Sequence, residues 1–134
     1  MFDKIAHVGI AVKNAQSSIA LFERLFGKKP DHREHVVDQM VSTALFEIGG
    51  SSIELLEATS EDSSIARFIQ KRGEGIHHVS FFVDDIEGEL RRLKKEGFQL
   101  IDEKPRRGAD NCLVAFVHPK SANGVLIELS QKQK

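Results

Sequence analysis

The sequence contains little of what marks several common classes of protein. Its 134 residues include a single cysteine, Cys112, so an internal disulfide is impossible. No apolar run is long enough to span a bilayer, and the first residues lack the layout of a signal peptide. The 19 basic and 20 acidic residues leave a formal net charge of −1, so there is no basic surplus for nucleic acid. We therefore expect a soluble, cytoplasmic domain that binds neither membranes nor nucleic acid.

Common catalytic signatures are missing as well. The chain has no G-x-G-x-x-G or Walker-type phosphate loop. No Ser-His-Asp or Cys-His arrangement is apparent, and Cys112 is interpreted as a small buried side chain at the start of a strand. The chemistry must therefore lie in other residues.

What the sequence does contain is a repeat of two short motifs. Residues 7–12, which begin with His7, are echoed by residues 78–83, which begin with His78. Glu54 lies between Ile and Leu, and Glu128 lies between the same two residue types. Each half of the chain therefore carries one imidazole and one carboxylate at matching places.

The apolar pattern predicts a strand–helix–strand–strand–strand unit in each half. Two such units favour an α+β fold over a parallel doubly wound sheet, because each helix is followed by strands joined through short turns. We predict a single domain with two βαβββ modules that form a half-open eight-stranded barrel-like sheet around a metal-binding cleft. The modules span about 4–58 and 76–130, with a linker helix at about 62–72; strands are predicted at 4–12, 36–48, 51–58, 76–83, 98–103, 112–118 and 124–130.

The repeated residues favour a metal site. A polar strand face turned to solvent explains a lone His or Glu, and this alternative stays open for each residue alone. It does not explain why the same two residue types recur in both halves. A divalent cation supplies the partner that a buried carboxylate needs. His7, Glu54, His78 and Glu128 are therefore candidate ligands for one ion of cobalt, zinc, manganese or nickel.

Three stretches resemble the vicinal-oxygen-chelate (glyoxalase/bleomycin-resistance) superfamily and, within it, the methylmalonyl-CoA epimerase family. They are residues 7–12, 62–78 and 118–129, of which the last two are the more specific. Members of the superfamily pair βαβββ modules around one metal. The resemblance implies the same fold, a homodimer, and His7, His78 and Glu128 as metal ligands, with Glu54 in the fourth ligand position.

The resemblance also implies an activity, the metal-dependent epimerisation of methylmalonyl-CoA. The metal would stabilise the enolate that forms when the α-proton leaves, and Glu128 would be both ligand and catalytic base. The sequence departs from the family at Thr43, which stands where some members have a second acid. Asp38, Glu47 or water are open alternatives for that second proton transfer.

The remaining candidate residues would contact the acyl-CoA thioester substrate. Arg106, Arg107 and Lys120 are candidate contacts for its phosphates, with an ordinary charged loop as the alternative, and Thr43 is a further candidate substrate contact.

A glyoxalase I-type lactoylglutathione lyase would use the same ligands. A non-catalytic binding module of the same fold is the other alternative. Residues 118–129 favour the epimerase over the lyase, and four intact ligands disfavour the binding module.

Overall fold

A computed structural model describes residues 1–133 and contains eight strands and three helices. The order is βαβββ, a linker helix, and βαβββ again, which confirms the α+β class and both predicted modules. No helix in the described part of the chain is long and apolar enough to cross a bilayer. The elements are β1 (Phe2–Ala11), α1 (Ala15–Phe26), β2 (His32–Val36), β3 (Val41–Ile48), β4 (Ser51–Ala58), α2 (Ser64–Arg72), β5 (Gly75–Val83), α3 (Ile86–Lys95), β6 (Arg106–Arg107), β7 (Cys112–Val117) and β8 (Ile127–Lys132).

The chain packs into two compact units whose limits differ from those of the sequence modules. One unit is Val8–His77, which we call the first-module unit. The other contains the residues up to His7 together with those from His78 onward, and we call it the second-module unit. Strand β1 therefore contributes its opening residues to one unit and its closing residues to the other.

In the first-module unit, helix α1 covers one face of strands that run in the order β2-β3-β4-β1. The Asn14 side chain accepts a hydrogen bond from the Ser17 N–H at the start of α1. Gly27 ends the helix in the left-handed region, at a φ of 70° that favours glycine. The core under this helix is formed by Val12, Ile19, Ala44, Phe46 and Leu55.

In the second-module unit, the strands run in the order β1-β5-β8-β7-β6, with β5 and β8 parallel. Helix α3, capped by Asp85, covers one face, which is apolar. We call the opposite face the ligand face; it carries Glu128, with Ser80 and Phe116 directly beside it on the two neighbouring strands. The core under α3 is formed by Val83, Ile86, Leu90, Leu93, Ala115, Val117 and Leu129.

The single strand predicted at 36–48 is wrong. The chain instead forms β2, a 3-10 turn at Val37–Gln39, and β3. Met40 breaks the extended path because it adopts a left-handed conformation with a φ of 53°. Strand β2 was missed because it is a charged edge strand, and exposed edge strands need no apolar alternation.

Three other boundaries need correction. At 98–103 only an isolated bridge from Leu100 to Val117 is present, and the strand that follows α3 is the two-residue β6. The linker helix predicted at about 62–72 begins at Ser64, and Ser63 caps it by accepting a hydrogen bond from the Ile65 N–H. The strand predicted from 124 begins at 127, because Gly124 adopts a φ of 86° within a turn.

Replacing Phe46 with alanine is expected to lower the free energy of unfolding by about 3–5 kcal/mol. The ring is fully buried and contacts the rings of Phe22 and Phe26 on α1. Urea unfolding measures the loss. Leu25→Ala on the same helix is the control, because Leu25 is 68% exposed and should change stability by less than about 0.5 kcal/mol. Equal losses for the two variants would contradict the core described above.

Candidate metal and active site

Two imidazoles and one carboxylate meet on the ligand face of the second-module unit. Nε2 of His7 lies 2.9 Å from Nε2 of His78. Oε1 of Glu128 lies 3.2 Å from the first of these nitrogens and 3.6 Å from the second. Strands β1, β5 and β8 each supply one of the three side chains. His7, His78 and Glu128, all predicted to bind a metal, thus lie together on this face.

The three groups are shielded from water. His78 and Glu128 are buried, and the His7 side chain is 14% exposed. Oε1 of Glu128 is buried without a hydrogen bond in the described part of the chain. Lone-pair atoms held this close repel one another unless a proton or a cation lies between them. A proton on one imidazole nitrogen, or a cation bound among the three atoms, would remove this repulsion.

The pKa of Glu128 also depends on the two neighbouring imidazoles. Burial on its own raises the pKa of this carboxyl group. The charged forms of His78 and His7 outweigh burial and lower the pKa from 4.5 to about 2. The Ser80 hydroxyl acts in the same direction, although its Oγ does not reach hydrogen-bond geometry. Glu128 is therefore a carboxylate at neutral pH, able to bind a cation or accept a proton.

Phe116 and Arg106 extend the site along the ligand face. The Phe116 ring meets the His78 ring edge-on, with 5.7 Å between ring centroids. The Arg106 guanidinium lies 5.8 Å from the centroid of Phe116, and its Nε lies 3.4 Å from Oδ1 of Asp102. Asp102 also accepts a hydrogen bond from the Phe116 N–H through Oδ2. An exposed cation is thus held beside the buried ligands by an aromatic ring and a carboxylate.

Two predicted site residues lie in the first-module unit. Glu54 is buried on β4, opposite Leu45 of β3. Thr43 is buried two residues before Leu45 on the same face of β3, opposite Leu56. Its hydroxyl donates a hydrogen bond to the Glu34 carbonyl, at 3.4 Å. The Thr43 hydroxyl is therefore engaged with the backbone of β2.

The other two predicted phosphate contacts, Arg107 and Lys120, lie in different positions from Arg106. Arg107 is exposed and pairs in register with Leu113, which packs toward α3 on the face opposite to the ligand face. Lys120 is exposed in a short 3-10 turn, where its N–H donates to Nδ1 of His118. Of the three predicted cations, Arg106 is the one that shares a face with Glu128.

The family comparison identifies the fold. A family model described as the glyoxalase/bleomycin resistance protein/dioxygenase superfamily matches residues 6–116. The chain belongs to this superfamily. Membership confirms the superfamily resemblance that was based on residues 7–12, 62–78 and 118–129.

Similar proteins within the superfamily carry the names of epimerases. A mitochondrial methylmalonyl-CoA epimerase of Dictyostelium discoideum is 38% identical over 130 residues, covering 96% of this chain and 78% of that protein. An ethylmalonyl-CoA/methylmalonyl-CoA epimerase of Cereibacter sphaeroides is 34% identical over 133 residues, covering 98% and 99%. A solved methylmalonyl-CoA epimerase in complex with methylmalonyl-CoA and NH4+ has a TM-score of 0.94 at 31% identity, covering 98% and 96%.

The donor set of this superfamily member fits a divalent ion. Ligand atoms about 2.0–2.2 Å from one ion lie about 3.0–3.4 Å apart in octahedral or tetrahedral geometry. The three observed separations of 2.9, 3.2 and 3.6 Å agree with that spacing. Imidazole nitrogen with carboxylate oxygen is also the donor combination that suits zinc, cobalt, manganese and nickel.

Sequence reasoning missed Phe116 and Ser80. Strand β7 reads Cys-Leu-Val-Ala-Phe-Val, which is apolar on both faces, so no alternation shows which side Phe116 occupies. Strand alternation puts Ser80 on the face of His78, two residues earlier, but nothing in the sequence shows that Ser80 lies opposite Glu128. The parallel register of β5 with β8 was the missing information.

Glu128 is expected to make the metal-free chain lose stability in acid. Its folded pKa of about 2 lies below the ordinary value of 4.5, so it stabilises the folded state above pH 4.5. This contribution is lost as the pH falls from 4.5 toward 2. Urea unfolding at pH 5 and pH 3 should show a larger loss for the native chain than for Glu128→Gln. The same loss in both chains would contradict the pKa.

Proposed function

We propose that this chain interconverts the two epimers of methylmalonyl-CoA. The observation that carries the proposal is the meeting of His7, His78 and Glu128 on one buried face. Relatives that are 34–38% identical over nearly the whole chain, and that are named methylmalonyl-CoA epimerase, support the choice of substrate. The substrate carries a thioester and a carboxylate on one acidic carbon, so the reaction requires removal and return of an α-proton.

His7, His78 and Glu128, with Glu54 as the fourth ligand, are the residues that would hold a divalent ion. The recurrence of the Ile-Glu-Leu motif and the burial of Glu54 support its inclusion. When bound, the ion supplies Lewis acidity, which stabilises the negative charge left when the α-proton is removed. Cobalt, zinc, manganese and nickel all suit this ligand set.

Glu128 is the base of the proposed reaction. Its carboxylate is ionised, buried and directed to the place where the two imidazoles converge. Proton abstraction by a positioned carboxylate needs this combination of ionisation and exclusion of water. Thr43 cannot return the proton as a carboxylic acid would. We propose that Thr43 lines the substrate site and that the second proton comes from water or a nearby acid, Asp38 or Glu47.

Arg106 is proposed to bind an anionic part of the acyl-CoA thioester. It shares the ligand face with Glu128, and this exposed side chain places its guanidinium 5.8 Å from the centroid of the Phe116 ring. Arg107 and Lys120, both exposed, are proposed as weaker contacts to the phosphates, because Arg107 lies on the opposite face and Lys120 lies in a turn outside the strands. A homodimer and a cytoplasmic location stay predictions.

Incubating the metal-loaded chain with one epimer in deuterated water should introduce deuterium at the α-carbon and scramble the stereocentre. Glu128→Gln keeps the shape of the side chain but removes the base, so exchange should fall by about 10²- to 10⁴-fold. NMR and mass spectrometry measure the exchange. Removing the metal with a chelator should abolish it, and adding cobalt should restore it.

Glu57→Gln is the matched control for this experiment, because Glu57 also lies on a strand but faces away from Glu54. Its exchange rate should stay within about twofold of the native rate. If the chain turns over methylglyoxal with glutathione and incorporates no deuterium, its function would be that of a lactoylglutathione lyase and not of an epimerase. Tight acyl-CoA binding without either reaction would indicate a binding module.

Arg106→Ala should raise KM for methylmalonyl-CoA about tenfold, the loss expected for one charged hydrogen bond. Steady-state kinetics measure the change. Arg107→Ala is the control and should stay within about twofold, because Arg107 neighbours Leu113 on the opposite face of the sheet. A larger effect at Arg107 than at Arg106 would show that the substrate approaches from another side.

A further inference from the structure

Ser80 has a buried hydroxyl that the fold itself does not use. The residue lies in the middle of β5 and is fully buried. Its Oγ makes no hydrogen bond within residues 1–133. A buried hydroxyl without a partner is destabilising compared with alanine, which would fill nearly the same space. Its presence therefore calls for a partner that packing alone does not provide.

The sheet register shows which groups surround this hydroxyl. Ser80 lies directly opposite Glu128 in the parallel pairing of β5 with β8, so both side chains project from the ligand face. His78 lies two residues earlier on the same strand and the same face. Phe82 and Phe116, the next neighbours on that face, have no hydrogen-bonding side chain. Two of the proposed metal ligands are thus polar groups beside Ser80.

Of these two, Glu128 is the group that can accept a hydrogen bond from Ser80. Nε2 of His78 faces His7 and the carboxylate, so it is already directed to the centre of the site. A carboxylate has about four lone-pair positions, and Oε1 uses only those directed at the imidazoles. A hydroxyl donor beside it can fix the carboxylate without competing for the ion.

We propose that Ser80 is a positioning residue that hydrogen-bonds the Glu128 carboxylate and holds it for metal binding and proton transfer. The inference rests on the proposed function, because it assigns a role to Ser80 within that site. Carboxylates that bind metals are commonly oriented by such neighbouring hydrogen bonds, and losing one lowers metal affinity about 10- to 100-fold.

Ser130 provides a matched control. It is a buried serine on the same face of β8, two residues beyond Glu128 and opposite Phe82. Its hydroxyl interacts with the thiol of Cys112 on the neighbouring strand β7. Removing the Ser130 hydroxyl therefore tests the general cost of losing a buried serine on this face.

The experiment titrates cobalt into the native chain, Ser80→Ala, Ser80→Thr and Ser130→Ala in the presence of a competing chelator. Ser80→Ala should weaken cobalt affinity about tenfold or more and change the visible spectrum of the bound cobalt. Ser80→Thr, which keeps the hydroxyl, and Ser130→Ala should stay within about threefold. Deuterium exchange on the cobalt-saturated chains should show a lower kcat for Ser80→Ala with KM within about twofold.

The outcomes separate this proposal from the proposed function. Equal cobalt affinities and spectra for Ser80→Ala and the native chain would overturn the role of Ser80. Deuterium exchange by the native chain would still support the epimerase activity. A rise in KM with unchanged cobalt affinity would also overturn it, since Ser80 would then contact substrate. If cobalt affinity depends on Ser80 but the native chain shows no deuterium exchange, the positioning role of Ser80 would be supported and the epimerase activity would be refuted. A native chain that binds no cobalt would overturn both.

Discussion

The burial of the Glu128 carboxylate is the constraint on which the site depends. A carboxylate removed from water is costly unless positive charge and hydrogen bonds replace the lost solvent. Here the replacement comes from His7 and His78, whose Nε2 atoms lie 3.2 and 3.6 Å from Oε1. The same neighbours hold the pKa of Glu128 far below its usual value despite burial. A group that stays charged in a dry site can bind a cation and can also remove a proton.

The surrounding fold supplies this arrangement through strand register. Parallel pairing of β5 with β8 sets Ser80 beside Glu128, and antiparallel pairing of β8 with β7 sets Phe116 on its other side. Helix α3 packs on the far face around Leu90 and Leu129, which fixes the sheet from behind. Because strand side chains alternate, a slip of one residue would turn Glu128 toward the core. The apolar packing under α3 therefore keeps the Glu128 side chain on the ligand face by fixing the strand register.

The apolar pattern was enough to predict the two βαβββ modules, and the repeated motifs were enough to select His7, Glu54, His78 and Glu128 as candidate ligands. Repetition was informative because solvent exposure gives no reason for the same polar residues to recur in both halves. The sequence could not reveal Phe116, which lies in a strand that is apolar on both faces. It also could not separate Arg106 from Arg107, because their difference depends on the register of a two-residue strand. Strand β2 escaped detection for a related reason, since its exposed charges follow no apolar pattern.

Anomalous scattering from a crystal of the chain loaded with cobalt tests the central claim most directly. If His7, His78 and Glu128 form a metal centre, one strong peak will lie about 2.0–2.2 Å from both Nε2 atoms and from a carboxylate oxygen of Glu128. A fully loaded crystal with its cobalt elsewhere, and with the His7–Glu128 contact still near 3.2 Å, would contradict the account.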